Sequence, residues 1–336
     1  MNRYLPAEWH PQEAVQLTWP HSETDWADTL QEVTECYINI AREIAIRQRL
    51  WIVTPHPQRV RTILEGVLPR KALANIEYFR IASNDTWARD HAFISLLRED
   101  GVRELLDFNF NAWGGKFEAS LDNAINREFF MQNFQADDKN VYVDNLDFEL
   151  EGGSIESDGK GTILTTAQCN LNENRRTKSK QSQTRVNNTE QEKEKTIANE
   201  LCNRLGAKRV LWLHHGGLER DDTDAHIDTL ARFAPNNTIV YGEGCPEMYE
   251  ELKTFRTLQG ESYRLIAVPP YYANFLIING AILLPFYENE DENQRAKEAL
   301  KIAFPDREVI GINCSILLTQ NGSLHCCTMQ YPCLNC

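Results

Sequence analysis

The chain has 336 residues, of which 42% are hydrophobic and 25% are charged, and its formal net charge is −14. This composition fits a globular protein with a large core, and the acidity argues against non-specific binding to nucleic acid or anionic membranes. No apolar run approaches the ~18–20 residues that span a bilayer, and residues 1–11 lack the apolar core of a secretory signal. The nine cysteines are odd in number and scattered, which favours reduced thiols and a cytoplasmic location. We therefore expect a small cationic substrate, and a homo-oligomer is left open.

Apolar periodicity predicts helices and strands that alternate along the chain, without a break in composition that would mark a domain boundary. Predicted helices cover 24–48, 57–68, 121–132, 190–205 and 289–303. Predicted strands cover 51–53, 76–81, 92–96, 103–110, 141–143, 148–150, 162–166, 210–213, 238–241, 263–268, 274–286 and 308–318. Asn279–Gly280, inside the run 274–286, indicates a hairpin. Residues 174–190 are polar and nearly free of large apolar side chains, so we expect a mobile, solvated loop there.

Four polar segments lie at the ends of predicted strands and carry side chains that are suited to catalysis. They contain Asp90, Glu151, His226 with Asp228, and Cys326. A cysteine combined with a histidine and a carboxylate indicates nucleophilic catalysis. The two further carboxylates fit a substrate with a guanidinium group, because a guanidinium presents a planar fork of N–H donors that carboxylates bind bidentately. The sequence has no Gly-x-Gly-x-x-Gly or phosphate-loop motif, so a nucleotide cofactor is not expected.

The densest of these segments runs from Asp221 to Leu230. If it is extended, His226 and Asp228 point to the same side, because side chains alternate along a strand. The alternative is an acidic N-cap cluster before a helix, with His226 as an ordinary surface histidine. This segment alone does not decide between the two interpretations.

The four segments together resemble a known family. Asn-Asp-Thr-Trp-Ala-Arg-Asp (84–90), Glu-Gly-Gly-Ser-Ile (151–155), Asp-Thr-Asp-Ala-His-Ile-Asp (222–228) and Gly-Ser-Leu-His-Cys-Cys-Thr-Met-Gln (322–330) are similar to motifs of the agmatine deiminase and bacterial-type peptidylarginine deiminase family. The resemblance covers nearly the whole chain, in order. It implies an α/β pentein fold, a five-bladed β/α propeller with pseudo-fivefold symmetry, as one catalytic domain over residues 1–336.

The resemblance also implies roles for individual residues. Cys326 would be the nucleophile, rather than Cys327, because the motif is His-Cys-x-Thr-x-Gln. His226 would be the acid/base, with Glu151 as its partner. Asp90 and Asp228 would clamp the guanidinium, and no metal or cofactor would be needed.

Three further residues are expected to contact substrate: Trp87, Asp85 and Asp222, the last facing the distal amine of the substrate. The other cysteines are assigned to packing, namely Cys36, Cys169, Cys202, Cys245 and Cys314.

The implied activity is agmatine deiminase, which hydrolyses agmatine to N-carbamoylputrescine and ammonia through a covalent amidino-cysteine, in putrescine and polyamine synthesis. The alternative within the family is a peptidylarginine deiminase that acts on peptide-bound or free arginine. A non-enzymatic alternative is a C-terminal zinc-binding interaction module. Its candidate ligands would be His325, Cys326, Cys327, Cys333 and Cys336.

Overall fold

The computed structural model describes residues 2–175, 189–219 and 221–334. The strands in these ranges are β1 (Arg3–Tyr4), β2 (Gln12–Thr18), β3 (Arg49–Thr54), β4 (Ile76–Arg80), β5 (Ile94–Arg98), β6 (Arg103–Asn109), β7 (Asn140–Glu149), β8 (Ile155–Ser157), β9 (Thr162–Thr166), β10 (Arg209–Leu213), β11 (Ala231–Ala234), β12 (Thr238–Gly242), β13 (Arg264–Val268), β14 (Leu276–Ile278), β15 (Ala281–Phe286), β16 (Glu308–Asn313) and β17 (Thr328–Pro332). The longer helices are Leu30–Ala45, Pro57–Glu65, Ile125–Asn133, Glu190–Leu205, Pro246–Thr254 and Glu290–Ala303. One-turn helices cover Arg70–Leu73, Ala88–His91, Ala167–Asn170 and Ile227–Leu230.

The strands form five small sheets with one shared plan. Their strand orders are β17-β2-β3-β4 (blade 1), β1-β5-β6-β7 (blade 2), β8-β9-β10 (blade 3), β11-β12-β13 (blade 4) and β14-β15-β16 (blade 5). In each blade an antiparallel pair is followed by a parallel strand, as in β11, β12 and β13. The parallel strand always follows a helical crossover, because a parallel connection needs a long return segment.

The blades form a closed ring. Five separate hydrophobic clusters fill the interfaces between blades 1 and 2, 2 and 3, 3 and 4, 4 and 5, and 5 and 1. β17 from the C-terminal end pairs with β2 from the N-terminal end, so blade 1 closes the ring. The expected five-bladed pentein propeller is therefore confirmed, with each blade buried on both faces.

Local sequence accounts for the main elements. The Leu30–Ala45 helix buries Val33, Tyr37, Ile40 and Ile44, which lie three or four residues apart on one face. The Glu190–Leu205 helix begins at a capping box of Thr189 and Glu192 and ends at Gly206, whose φ is +65°. The predicted hairpin is confirmed, since Ile278 pairs with Ala281 across Asn279–Gly280. Within the described ranges, no helix combines the length and apolarity that crossing a bilayer requires.

Two strand predictions need correction. Strands 141–143 and 148–150 are one strand, β7, whose exposed polar centre contains Asp144 and Asp147 because β7 is at the edge of its sheet. The predicted strand 308–318 ends at Asn313, whose side chain accepts a hydrogen bond from Ser315 N and turns the chain. The mobile loop predicted over 174–190 falls mainly on 176–188, outside the described residues, and stays a prediction.

Candidate active site

Each blade begins with a short segment that faces the centre of the ring. In four blades this segment is one helical turn directly before the antiparallel pair: Ala88–His91, Gly152–Ser154, Ile227–Leu230 and His325–Cys327. In blade 5 the corresponding residue is Asn274, two positions before β14. The buried polar side chains that these segments bring together are Asp90, Glu151, His226, Asp228, Asn274 and Cys326.

His226 forms a buried pair with Glu151. Its Nε2 lies 2.7 Å from Glu151 Oε2, and the two side chains are 1% and 3% exposed. Its Nδ1 lies 3.6 Å from Asp90 Oδ1 and has no hydrogen-bond partner among the residues that the structure describes. Burial lowers the pKa of His226, but the charges of Asp90 and Cys169 and the hydrogen bonds to Cys169 and Glu151 outweigh burial and raise that pKa well above its usual value. The site therefore favours the protonated ring, with one N–H available for proton transfer.

Arg175 completes this pair from the opposite side. Its Nε donates to both oxygens of Glu151, at 3.0 and 2.9 Å. Its two terminal nitrogens donate to Asp224 Oδ2 and to the carbonyl oxygen of Thr223. Burial raises the pKa of Glu151, but hydrogen bonds and charge from His226 and Arg175 outweigh burial and lower it. Glu151 is therefore held as a carboxylate, in a fixed orientation, against the imidazolium.

Asp90 is held by two N–H donors. Trp113 Nε1 donates to Oδ2 at 2.9 Å, and Gly153 N donates to Oδ1 at 3.0 Å. Burial, reinforced by Glu151 and Asp228 and opposed by His226, raises the pKa of Asp90 to about 6. A bound cation would favour the carboxylate form of Asp90.

The Trp113 indole reaches Asp90 because the chain makes a left-handed turn over Ala112–Gly115. Ala112 and Trp113 have φ values of +51° and +55°, which non-glycine residues rarely adopt. The side chain of Asn111 caps this turn by accepting from Gly114 N at 2.9 Å. Left-handed backbone at two non-glycine residues is costly, and such strain is concentrated at functional sites.

Asp228 is completely buried and lies beside the candidate nucleophile. Its Oδ2 is 2.7 Å from His325 Nδ1 and 3.9 Å from Cys326 Sγ. Its Oδ1 has no hydrogen-bond partner among the described atoms. A buried carboxylate oxygen without a donor is costly, and a guanidinium N–H would satisfy it.

Cys326 Sγ lies 3.4 Å from Asn274 Oδ1, an oxygen that also accepts from His325 N at 2.9 Å. Burial, together with the charges of Asp228 and Asp90, raises the pKa of the Cys326 thiol well above its usual value. In the free protein the sulfur is therefore a thiol. A cation bound between the two carboxylates would oppose both of these charges and favour the thiolate.

Gly152 and Gly153 bring the backbone into this cluster. A Cβ on Gly153 would lie 2.6 Å from His226 Nδ1, 2.8 Å from Asp90 Oδ1 and 3.2 Å from Asp228 Oδ2. A Cβ on Gly152 would overlap the carbonyl oxygen of Arg89. Only glycine fits at either position, which explains the Gly-Gly pair physically.

A cavity of about 190 Å³ leads from Cys326 and Asp90 to the surface. Its described lining residues are Asp25, Asp85, Trp87, Asp90, Trp113, Phe117, Asp222, Thr223, Thr229, Gln320, Asn321, Gly322 and Cys326. The expected substrate contacts Asp85, Trp87 and Asp222 all lie in this wall. Burial raises the pKa of Asp85 to about 6. Among the described lining residues there is no lysine or arginine, so the wall is acidic and aromatic.

The structure changes three expectations about these residues. His226 and Asp228 meet through a helical turn, Ile227–Leu230, and not through strand alternation. The turn forms because Asp221 accepts from the backbone N–H groups of Thr223 and Ala225.

Cys169 is buried but is more than packing, since its Sγ lies 3.8 Å from Glu151 Oε2. The C-terminal zinc ligands are not assembled in the described part of the chain. Both ring nitrogens of His325 already face carboxylates, Asp228 at 2.7 Å and Glu8 at 2.8 Å.

Sequence reasoning missed Arg175, Asn274, Trp113 and Glu8. Arg175 lies at the edge of the polar stretch for which the sequence predicts a solvated loop. The apolar run 274–286 predicts that Asn274 begins a strand, although its place before β14 matches the site residues of the other blades. The signal that could have identified it is this repeated position, which becomes visible only when the blades are aligned.

Comparison with known proteins gives these motifs a family. Residues 4–332 match the family model described as Porphyromonas-type peptidyl-arginine deiminase. A Porphyromonas gingivalis structure provisionally named an arginine deiminase is 44% identical, with a TM-score of 0.86 and 98% of each chain covered. A C. jejuni agmatine deiminase variant with substrate bound is 33% identical, with a TM-score of 0.84 over 99% of this chain and 97% of that chain. The agmatine deiminase of Enterococcus faecalis is 25% identical, with a TM-score of 0.84 over 98% of this chain and 96% of that chain.

A more distant structure shares the fold alone. It is a dimethylarginine dimethylaminohydrolase from Pseudomonas aeruginosa, 11% identical, with a TM-score of 0.51 over 96% of this chain and all of the other. The predicted enzyme class, a guanidine hydrolase with a cysteine nucleophile, is confirmed at the level of the family. The chain belongs to the Porphyromonas-type peptidyl-arginine deiminase family.

Proposed function

We propose that the protein hydrolyses agmatine to N-carbamoylputrescine and ammonia, with Cys326 as the nucleophile. The observation that carries this proposal is the charge pattern of the cavity. Two buried carboxylates, Asp90 and Asp228, lie beside the thiol at the inner end, and further carboxylates, Asp25 and Asp222, lie at the outer end. Agmatine has a guanidinium at one end and an ammonium at the other, so it matches both ends of the cavity.

Asp90 and Asp228 would bind the guanidinium nitrogens. Their charges lie near Cys326, and Oδ1 of Asp228 has no other hydrogen-bond partner within the described part of the chain. Because Trp113 and Gly153 fix Asp90, the guanidinium would be oriented as well as neutralised, and orientation of the reacting carbon lowers the barrier to attack.

The first half-reaction would begin when the bound cation promotes release of the Cys326 proton to water; the sulfur takes a proton back from water when the product has left. The thiolate attacks the guanidinium carbon and forms a carbon–sulfur bond. His226 gives its proton to one amino group, the carbon–nitrogen bond breaks, and ammonia leaves. The product is a cationic amidino-thioether on Cys326 together with neutral His226.

In the second half-reaction neutral His226 removes a proton from water, and the hydroxide adds to the amidino carbon. The carbon–sulfur bond breaks, the thiolate is restored, and a ureido product forms. Of the two protons of that water, one remains on His226, and the other is released to solvent when the ureido carbonyl forms, where the ammonia of the first half-reaction becomes ammonium. Glu151, held by Arg175, would stabilise the imidazolium at both steps where His226 carries its proton.

Arginine would fit the outer end less well. Its α-carboxylate would face Asp85, Asp222 and Asp25, and the described lining offers it no cationic side chain. The negative charge of the substrate carboxylate would be repelled by the negative charges of these side chains. Agmatine lacks this carboxylate, and its product is a precursor of putrescine, so a role in polyamine synthesis follows from this choice of substrate.

Identification of the product from three substrates tests the proposal. Purified protein would be supplied with agmatine, with free arginine and with an arginyl peptide, and ureido products would be quantified by mass spectrometry. We expect kcat/KM to be highest for agmatine. A higher kcat/KM for the peptide would reassign the protein as a peptidylarginine deiminase. No ureido product from any of the three would contradict the activity itself.

A further inference from the structure

A second cluster of ligating side chains lies outside the catalytic centre. His21, Glu23 and His56 each place one nitrogen or oxygen atom so that the three atoms lie within 4.8 Å of one another. His21 Nδ1 is 2.8 Å from Glu23 Oε2, and His56 Nε2 is 3.3 Å from the same oxygen. The three residues follow β2 and β3, neighbouring parallel strands of blade 1, so they meet at one edge of that sheet.

His21 is oriented as metal-bound histidines are. Its other nitrogen, Nε2, lies 3.1 Å from Ser83 Oγ, and its side chain is 6% exposed. Metal-binding histidines usually bond the non-ligating nitrogen to a fixed partner, which sets the ring orientation and the tautomer. The His56 ring meets the His21 ring edge-on, with centroids 5.9 Å apart. Two imidazole nitrogens and one carboxylate oxygen therefore converge on the same space.

We propose that His21, Glu23 and His56 bind a divalent transition-metal ion, with zinc as the best match. Zinc takes imidazole nitrogen and carboxylate oxygen at roughly 2.0–2.2 Å in tetrahedral geometry, which places ligand atoms roughly 3.3 Å apart. The 2.8 and 3.3 Å separations need only a small adjustment. Glu23 and His56 are 65% and 41% exposed, so water can reach a fourth position. Magnesium and calcium, which prefer all-oxygen ligands, do not fit this set.

The site would stabilise the rim of the substrate cavity. Asp25 lies two residues after Glu23 and lines the cavity. The next residue, Trp26, donates a hydrogen bond from Nε1 to Thr86 Oγ1 at 2.9 Å. Thr86 directly follows the cavity residue Asp85. A metal ion bound to His21, Glu23 and His56 would therefore join the ends of β2 and β3 to the segment that forms one wall of the cavity.

Titration of chelator-treated, full-length protein with zinc chloride tests this inference. We expect one zinc ion per chain by calorimetry, and a rise in Tm of about 3–5 °C at roughly 100-fold excess of zinc over Kd. His56→Ala and Glu23→Gln should each weaken binding at least tenfold and abolish the rise in Tm. Magnesium chloride should produce neither effect.

Two controls separate this site from other zinc binding. His214→Ala removes a histidine that also lies between two carboxylates, Glu194 and Glu251, and it should leave zinc binding unchanged. Cys169→Ala removes a ligand from the only other described group that could hold a metal, formed with Glu151 and His226. Zinc binding that persists in His56→Ala, or that is lost only in His214→Ala or Cys169→Ala, would overturn the inference.

Discussion

Replacement of Arg175 by alanine tests the proposed proton-transfer pair most directly. Arg175 is 4% exposed and Glu151 is 3% exposed, and two hydrogen bonds of 2.9 and 3.0 Å join them. Without the guanidinium, one of the two groups that oppose the effect of burial is lost, so the pKa of Glu151 rises and Glu151 takes up a proton more easily. A protonated Glu151 supports the His226 imidazolium less well.

The expected loss follows from one charge-assisted hydrogen bond, about 1.5–3 kcal/mol. At 1.36 kcal/mol for each factor of ten, kcat/KM should fall by roughly 10- to 150-fold. The pH profile should change as well. Glu151 has a lowered pKa in the folded protein. The support that its carboxylate gives to the His226 imidazolium is therefore present above the unfolded pKa of Glu151 and is lost as pH falls through the folded pKa. In Arg175→Ala this loss should occur at higher pH.

The assay is kcat/KM for agmatine as a function of pH, with Tm measured in parallel. Arg175→Lys keeps the charge but cannot reproduce both bonds, so partial recovery is expected. Arg204→Ala is the matched control, because Arg204 is also paired with two carboxylates, Asp147 and Glu200, and neither of them belongs to the candidate active site. If Arg175→Ala lowers Tm but leaves kcat/KM and its acidic limb unchanged, Arg175 is a structural residue and the reasoning is wrong.

Five substitutions test the remaining roles. Cys326→Ser should abolish turnover while Cys327→Ser keeps most of it, as measured by ammonia release; the reverse result would mean that the wrong cysteine was assigned. Asp90→Asn should weaken agmatine binding by about 1.5–3 kcal/mol and also slow the covalent step, as calorimetry and intact-mass kinetics would show. His226→Ala should keep binding but lose on the order of 10²-fold or more in rate, and any adduct trapped on Cys326 would appear by mass spectrometry. Gly153→Ala should reduce activity strongly with little loss of helix signal by circular dichroism, because its methyl would press on His226.

Much of the fold was accessible from the sequence because short-range patterns determine it. The 3.6-residue spacing of apolar side chains predicts the Leu30–Ala45 helix, and Asn279–Gly280 predicts the hairpin between β14 and β15. The errors arise where side chains act on the backbone. Asn313 ends β16 before the apolar run at 316–318, which forms a 3-10 turn beginning at Leu317 and not a strand.

The catalytic motifs were visible in the sequence, but the residues that support them were not. Arg175 lies 24 positions from Glu151, and Glu8 lies 317 positions from His325. No local spacing connects such pairs, because the closed ring of blades creates the contacts. A polar composition, which correctly predicts solvation in most loops, was misleading at Arg175 because that guanidinium satisfies a buried carboxylate.

The buried charges along the propeller axis explain how two carboxylates can be held next to a thiol. Behind the site, Arg232 lies 2.7 Å from Glu8, Glu8 lies 2.8 Å from His325, and His325 lies 2.7 Å from Asp228. Both ring nitrogens of His325 face carboxylate oxygens, but burial and the charges of Arg232 and Arg89 lower the pKa of His325. Arg232 and, at 3.8 Å, Arg89 offset the negative charge of Glu8 on the inner side of the site.

On the outer side, by contrast, His226 is the one cationic side chain among the described residues that lies close to Asp90. Two guanidinium groups therefore lie on the core side of the site, whereas the cavity side stays negative. A cation entering from the acidic mouth is therefore the missing counter-charge, and its arrival would raise the fraction of Cys326 in the thiolate form. On this reasoning the nucleophile becomes reactive only when a guanidinium is in place to receive it, which limits reactions of the thiol with other compounds.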